Sequence, residues 1–411
     1  MTNTSDTIKL TCVTADNNNK YYNMMKDASG DTFTVEYGRI NSTKQVKQYP
    51  ISKWESIYRQ KTAKGYRDVT NLFVDDGIDY LASKADSTAS VTTKFIMKLR
   101  DYARKTVKDN YSISTSVVTS MMIQKAQSEI DILANTMNTM KANNDWNTST
   151  FDRHLIDIYS ILPRKMSNVK KFLAADNLGS DPVKSLQEII TREQDVLDAL
   201  AATVATKDDS RNASIFDKLG IEMREKDDDL EKTVKKMLGD ISWRYLDCYY
   251  VKNLATQKRF DDDLKANGKY SHKKTNLFWH GSRNENWLSI LQNGLLIRPA
   301  GVTTQGAMFS AGLYFADKAK KSFGYTSSSS AYWTHGNSDR AYMAIFSVRT
   351  GKQYNVHSHT SECYNFSKSY LAKKGDYDSV YAHAGRDLRN NEFIIYDPAQ
   401  CTIHAIVELK A

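Results

Sequence analysis

Two different spacings of hydrophobic residues divide this sequence into three parts and limit the folds open to it. In DTFTVEYGRI, Phe33, Val35 and Tyr37 alternate with polar neighbours, which predicts a half-buried strand. Between residues 123 and 140 the hydrophobic residues recur every three or four positions, as on one buried face of a helix. Alternation returns between residues 403 and 409. The sequence therefore predicts a β-rich part, a helical part and a second part that contains strands.

At 411 residues the chain is too long for one ordinary core, so two or three domains are expected. We place the first at residues 1–80, a helical domain at 90–208 and a third domain at 212–411. Gly38 is predicted to form a turn after the first strand, and Gly65 to end the helix that follows. Asp181 and Pro182 form a strong helix start, an N-cap with proline in the first helical position. The predicted fold class is α+β multidomain.

The net charge of +9 indicates a polyanionic partner, or only a basic, well-solvated surface. Between Tyr37 and Arg67 a single acid, Glu55, stands among many basic and aromatic residues. The basic residues are Arg39, Lys44, Lys47, Lys53, Arg59, Lys61, Lys64 and Arg67, and the aromatic ones are Tyr37, Tyr49, Trp54, Tyr58 and Tyr66. This mixture suits phosphates and exposed bases, so nucleic acid and a solvated face both remain open.

Several classes of protein are disfavoured. The four cysteines lie far apart without a Cys/His cluster, so we expect a reducing compartment and no structural metal. His357 and His359 could hold a metal, but no third ligand is near them, which favours a solvated loop. No apolar run reaches the roughly 18 residues of a membrane span, and the polar start is unlike a secretory signal, so no membrane partner is expected. The sequence contains no GxGxxG motif, which argues against a Rossmann dehydrogenase.

Three segments of the last part belong together: FWHGSR (278–283), MFSAGLYFADKAKKSFGY (308–325) and NNEFIIYDPAQ (390–400). They resemble the poly(ADP-ribose) polymerase family, whose diphtheria-toxin-like ADP-ribosyltransferase domain carries a histidine, a tyrosine and a glutamate on separate strands. Here these would be His280, Tyr314 and Glu392. KYYNMM and VEYGRI resemble the family's DNA-sensing WGR domain, with Tyr37 in place of tryptophan before Gly38 and Arg39. IYSILP (158–163) and SLQEIITREQDVLDAL (185–200) resemble its helical regulatory domain.

The resemblance implies that NAD⁺ is consumed as a substrate and that no metal takes part. Glu392, His280 and Tyr314 would be catalytic. Glu392 would stabilise an oxocarbenium-like state and act as general base toward the acceptor, and Lys321 would help to orient it. The remaining implied contacts are Gly281, Ser282, Asn286, Lys321, Ser322 and Tyr325 for NAD⁺, and Met308 for the acceptor. A bare backbone at Gly281 would admit the carboxamide, and Tyr314 and Tyr325 would sandwich the nicotinamide ring.

The expected function is a poly(ADP-ribose) polymerase activated by DNA breaks, which bind at Tyr37, Gly38 and Arg39. Its partners would be broken DNA and protein acceptors, including the chain itself, and the chain would be a monomer without DNA. A nuclear location is expected in a eukaryote, and cytoplasm or nucleoid otherwise. Asn390 stands where long-chain members carry tyrosine, which leaves a mono-ADP-ribosyltransferase open. A DNA-end-binding scaffold with a decayed transferase domain is the third alternative.

Overall fold

The computed structural model describes residues 6–40, 42–70, 89–113, 115–206, 214–267, 270–297, 308–331, 334 and 336–411. They form two compact units. The first comprises Met1–Tyr80 and Thr106–Leu197, and the second comprises Leu81–Lys105 and Asp198–Ala411. The three domain boundaries given above stay predictions. The predicted mixed α+β class is confirmed, because both sheets and helices are present. No helix within the described ranges is both long enough and apolar enough to cross a membrane.

The first unit begins with a five-stranded antiparallel sheet in the order β4-β3-β2-β1-β5. Its elements are β1 (Thr7–Thr14), β2 (Asn18–Lys26), β3 (Thr32–Arg39), β4 (Gln45–Pro50), α1 (Trp54–Ala63) and β5 (Arg67–Asp68). Phe33 and Val35 are fully buried, as their alternation predicts, and Trp54 of α1 packs edge-on against Phe33. The helix stops before Gly65, which has a φ of 84°.

The predicted turn at Gly38 is wrong. Gly38 lies inside β3 and pairs with Tyr21 of β2, and the strand continues to Arg39. Glycine weakens a strand when it is considered alone, but cross-strand hydrogen bonding to β2 outweighs that local preference here.

Four helices follow: α2 (Val91–Asn110), α3 (Ser120–Asn143), α4 (Ser149–Ile161) and α5 (Pro182–Ala205). The predicted stripe of α3 is confirmed, because Ala126, Ile130 and Leu133 are fully buried. α4 ends just before Pro163, and α5 begins at Pro182, where the Asp181 carboxylate accepts a hydrogen bond from the Lys184 amide at 3.0 Å. Thus the proline and N-cap signals placed the ends of these helices correctly.

The second unit contains a five-stranded sheet in the order β6-β7-β14-β10-β8 and a four-stranded sheet in the order β11-β12-β13-β9. The strands are β6 (Ile221–Glu225), β7 (Tyr245–Asn253), β8 (Thr275–Gly281), β9 (Leu313–Phe315), β10 (Arg340–Arg349), β11 (Gln353–Val356), β12 (Ser379–Ala382), β13 (Glu392–Ile395) and β14 (Cys401–Lys410). The helices are α6 (Ile215–Leu219), α7 (Asp228–Leu238), α8 (Leu254–Ala266), α9 (Trp287–Asn293), α10 (Ala319–Phe323) and α11 (Lys368–Gly375).

The two sheets of this unit meet beside β8. Trp279 exchanges two backbone hydrogen bonds with Ala316, of 2.8 and 3.0 Å, just after β9. The ring of Phe278 stacks on that of Phe393 in β13, with centroids 4.0 Å apart. These contacts fix β8, β9 and β13 against one another, so side chains on the three strands can share one site.

Candidate active site

Three strands carry the predicted histidine, tyrosine and glutamate. His280 is the next-to-last residue of β8, Tyr314 is the middle residue of β9, and Glu392 is the first residue of β13. β9 and β13 are hydrogen-bonded neighbours, and Tyr314 pairs with Ile394. The structure therefore brings together three residues that span more than a hundred positions of the sequence.

The imidazole of His280 is held in one tautomer. Its Nδ1 lies 3.0 Å from the backbone carbonyl oxygen of Tyr314, and a carbonyl can only accept, so Nδ1 carries the proton. Burial lowers the pKa of His280 below its ordinary value, although the bond to the Tyr314 carbonyl opposes this. The ring is thus neutral at pH 7, and Nε2 is left as a hydrogen-bond acceptor for a hydroxyl group.

The hydroxyl of Tyr314 is fixed by the loop that precedes it. It donates to the Ser310 carbonyl at 2.7 Å and accepts from the Phe309 amide at 3.0 Å. Burial raises the pKa of Tyr314 well above its ordinary value, with a contribution from the charge of Glu392. Because strand pairing holds the backbone of Tyr314 and these two hydrogen bonds hold its hydroxyl, the ring has a fixed position. The sequence did not indicate this loop, in which Ser310 adopts a φ of 64°.

Glu392 is the most unusual group of the site. Its side chain is only 6% exposed, and Oε1 is paired with the ammonium group of Lys321 from α10. Oε2 is buried and has no hydrogen-bond partner. A buried carboxylate oxygen without a donor is costly, so its persistence calls for an explanation such as a donor supplied by a substrate. A sugar hydroxyl is a donor of the required kind.

α10 packs directly against the end of β8. A Cβ added to Gly281 would lie 1.9 Å from the Ser322 carbonyl oxygen and 2.7 Å from its carbon, so no side chain fits. Ser322 itself is buried, and its carbonyl oxygen accepts from the Tyr325 amide at 3.1 Å. The family resemblance accounts for Gly281 by the close approach of the nicotinamide carboxamide to its backbone. The structure adds a second reason, the contact between two segments of the chain.

Tyr325 follows α10 and faces the same carboxylate. Burial raises the pKa of Tyr325 to about 12, with a smaller contribution from the charge of Glu392. Tyr325 also contributes to the raised pKa of Tyr314. The charge of Glu392 therefore acts on both tyrosines, so Tyr314, Tyr325 and Glu392 lie close enough to interact electrostatically.

Two further predicted contacts lie just past β8. The amide group of Asn286 donates to the Ser282 hydroxyl at 3.1 Å. Like the Glu392 Oε2, the Asn286 Oδ1 atom is buried without a hydrogen-bond partner. The side chains of Ser282 and Asn286 are both half-buried.

Met308, predicted for the acceptor site, and Asn390, considered for product chain length, belong to loops that His359 and Asp387 connect. The Met308 carbonyl accepts from Nε2 of His359 at 2.8 Å, and the His359 amide donates to the Asp387 carboxylate at 2.7 Å. His359 thus links the loop of Met308 to the loop that leads toward β13. The ring of His357 instead stacks on His383, with centroids 4.2 Å apart. The two histidines considered for a metal therefore have different partners.

The residues predicted to bind DNA lie on β3 in the first unit. Tyr37 is half-buried, and its ring lies 5.5 Å from that of Tyr22. The Arg39 guanidinium donates to the backbone and side-chain oxygens of Asn17, at 2.7 and 2.9 Å, and to the Ser167 carbonyl at 3.1 Å. It thereby ties the sheet to the segment after α4.

Comparison with known proteins supports the family predicted for the third domain of the chain. The model of the poly(ADP-ribose) polymerase catalytic domain matches residues 222–411. The uncharacterized protein 101L of Invertebrate iridescent virus 6 is 35% identical over 213 residues, which are 52% of this chain and 83% of that protein. Protein 100L of the same virus, whose name describes it as poly(ADP-ribose) polymerase-like, is 31% identical over 160 residues, or 38% of this chain and 83% of that protein.

A cellular relative matches over a shorter range. Human poly(ADP-ribose) polymerase 2 is 36% identical over 96 residues, which are 23% of this chain and 15% of that protein. The family model and the viral relative 100L both point to one family. The chain therefore belongs to the poly(ADP-ribose) polymerase family, and its catalytic domain is an ADP-ribosyltransferase that uses NAD⁺ as substrate.

Proposed function

We propose that this chain is activated by DNA breaks and builds poly(ADP-ribose) on protein acceptors, including itself, with release of nicotinamide. One observation carries the catalytic part: the buried carboxylate of Glu392, paired with Lys321 through one oxygen and without a donor on the other. A carboxylate in this state can bind a ribose hydroxyl and stabilise positive charge on the ribose as the glycosidic bond breaks.

Different residues of the site contact different parts of NAD⁺. The rings of Tyr314 and Tyr325 enclose the nicotinamide, while Gly281 and Ser322 hydrogen-bond its carboxamide. His280 accepts from a ribose hydroxyl through Nε2, and Ser282 and Asn286 bind the polar groups that remain. When the bond between ribose and nicotinamide breaks, its electron pair leaves with nicotinamide. The acceptor hydroxyl, positioned near Met308, then attacks the ribose carbon and gives its proton to Glu392.

Activation by DNA is the second part of the proposal. Broken DNA binds at Tyr37, Gly38 and Arg39 and loosens the helical domain, which otherwise blocks entry of NAD⁺. Support comes from the exposed basic residues that follow β3, among them Lys47, Lys53 and Lys64. Because basic side chains bind DNA by releasing counterions, activation will weaken as the salt concentration rises.

Incubation with labelled NAD⁺, with and without nicked DNA, followed by gel electrophoresis, tests both parts. A ladder of products that requires DNA is the expected result. A single shifted band would mean mono-ADP-ribosylation, which Asn390 favours because long-chain members carry tyrosine there. Binding of nicked DNA without release of nicotinamide would mean a scaffold without transferase activity.

Deletion of residues 90–205 tests the gating role and should produce activity without DNA. This deletion also removes Phe95, whose ring contacts those of Tyr249 and Tyr342 within the second unit. A second deletion, of residues 106–205, retains these contacts and serves as the matched comparison. Continued dependence on DNA in both truncated chains would contradict the gating role.

The remaining parts of the proposal concern the cellular location and the oligomeric state of the protein. We place the protein in the nucleus of a eukaryotic cell, or in the cytoplasm or nucleoid otherwise, because broken DNA is its partner. We also propose that it is a monomer without DNA, which sedimentation with and without a nicked duplex will test.

A further inference from the structure

A cluster of metal-ligating side chains lies outside the catalytic site, in the first unit. Among the residues that the structure describes, Glu129 of α3 and His154 and Asp157 of α4 each place one ligand atom within 4.8 Å of the other two. His154 and Asp157 are three positions apart and therefore share one face of α4. Nδ1 of His154 is 2.7 Å from Oε2 of Glu129.

We propose that Glu129, His154 and Asp157 form a binding site for one divalent transition-metal ion, such as Zn²⁺, and that this ion competes with Arg67 for Asp157. In the structure the Arg67 guanidinium, from β5, is paired with the Asp157 carboxylate. The site is thus described in its arginine-bound state, and metal binding would exchange one cation for another.

The distances require only small side-chain movements. Metal–ligand bonds of about 2.0–2.2 Å place two ligands of one tetrahedral ion roughly 3.4 Å apart. The His154–Glu129 pair, at 2.7 Å, must open by less than about 1 Å, and no ligand pair lies farther apart than 4.8 Å. Rotation about side-chain bonds supplies such shifts without moving the two helices.

The charges favour an ion with two positive charges. The cluster contains two carboxylates, of which that of Asp157 is paired with Arg67; Arg67 is 51% exposed, so this pairing is screened by water. Glu129, His154 and Asp157 are only 16–23% exposed, which limits hydration of the carboxylates while leaving a path for an ion. A divalent ion would neutralise both carboxylates at once.

The donor set narrows the choice of metal. An imidazole nitrogen with two carboxylate oxygens suits Zn²⁺ and its transition-metal neighbours better than Ca²⁺ or Mg²⁺, which prefer oxygen ligands alone. Three protein ligands leave a position for water. Since Asp157 cannot bind both cations fully, metal binding would release Arg67 and remove one link between β5 and α4.

Zn²⁺ titration calorimetry and the visible absorption of bound Co²⁺ will test the site on the chelator-treated full-length chain. We expect binding of one ion. His154→Ala should weaken binding at least tenfold, and His357→Ala, which changes an exposed histidine outside the cluster, should leave it unchanged.

Two further variants separate ligation from loss of the ion pair. Both Asp157→Asn and Arg67→Gln remove the same pairing, yet the first should weaken metal binding at least tenfold and the second should tighten it severalfold. Thermal unfolding will verify that each variant is folded, and Glu129→Gln replaces His154→Ala if the latter is not. The proposal is overturned if Arg67→Gln and Asp157→Asn change affinity in the same direction, or if the binding that remains follows His357.

Discussion

Replacing Glu392 with glutamine would show whether its charge, rather than its shape, drives the reaction. Glutamine retains the size of the side chain and an oxygen that can accept a hydrogen bond from a ribose hydroxyl. It removes the negative charge that faces the site and leaves Lys321 without its partner. We therefore expect NAD⁺ binding to survive and the chemical step to fail.

The size of the loss follows from the burial of this side chain. A unit negative charge about 4 Å from a developing positive charge, at an effective dielectric constant of about 20, stabilises it by about 4 kcal/mol. This corresponds to a roughly 10³-fold fall in kcat, since each 1.4 kcal/mol is about a factor of ten. Loss of the charge on one hydrogen bond changes binding by about 1 kcal/mol, or roughly fivefold in Kd.

Release of nicotinamide will give kcat, and calorimetry will give the Kd for NAD⁺. The matched control is Glu408→Gln on β14, because Glu408 is also almost fully buried and ion-paired, with Lys98 and Arg340, but lies outside the site. The control should retain its activity. Normal polymer from Glu392→Gln, or an equal loss in Glu408→Gln, would refute the role assigned to Glu392.

Three other changes test separate features. Gly281→Ala forces a Cβ to within 1.9 Å of the Ser322 carbonyl oxygen, so the free energy of unfolding should fall by about 1–3 kcal/mol and NAD⁺ binding should be lost. The control is Gly179→Ala, because a Cβ at Gly179 would have a serine hydroxyl at 3.3 Å as its nearest neighbour. An equal effect of the two substitutions would contradict the steric argument. Burial lowers the pKa of His280 and His404 in the folded chain, so the unfolded chain, with histidine pKa values near 6.5, takes up more protons as the pH falls. Stability should therefore be full above about pH 7 and decrease toward pH 5.5, and His404→Asn should reduce this decrease in thermal unfolding; a flat profile would argue against it. Asn390→Tyr should lengthen the products on a gel if this position limits chain growth, and unchanged lengths would exclude that explanation.

Local patterns predicted much of the secondary structure. The spacing in α3, the N-cap at Asp181 and the proline after α4 all describe interactions between near neighbours in the sequence, and the structure agrees with each. The predicted turn at Gly38 failed because pairing with Tyr21, a residue from another strand, decides its conformation. Local reasoning succeeds where the interactions that decide are themselves local.

The sequence by itself determined the residue types of the candidate site, because His280, Tyr314 and Glu392 stand in local contexts that resemble one family. Tertiary structure alone decided the state of each group. It assigns the proton of His280 to the nitrogen facing the Tyr314 carbonyl, leaves one oxygen of Glu392 without a donor, and presses Gly281 against Ser322. These properties depend on which atoms, distant in the chain, lie within about 3 Å of one another. The identity of a side chain specifies its possible bonds, but only packing determines which of them are made.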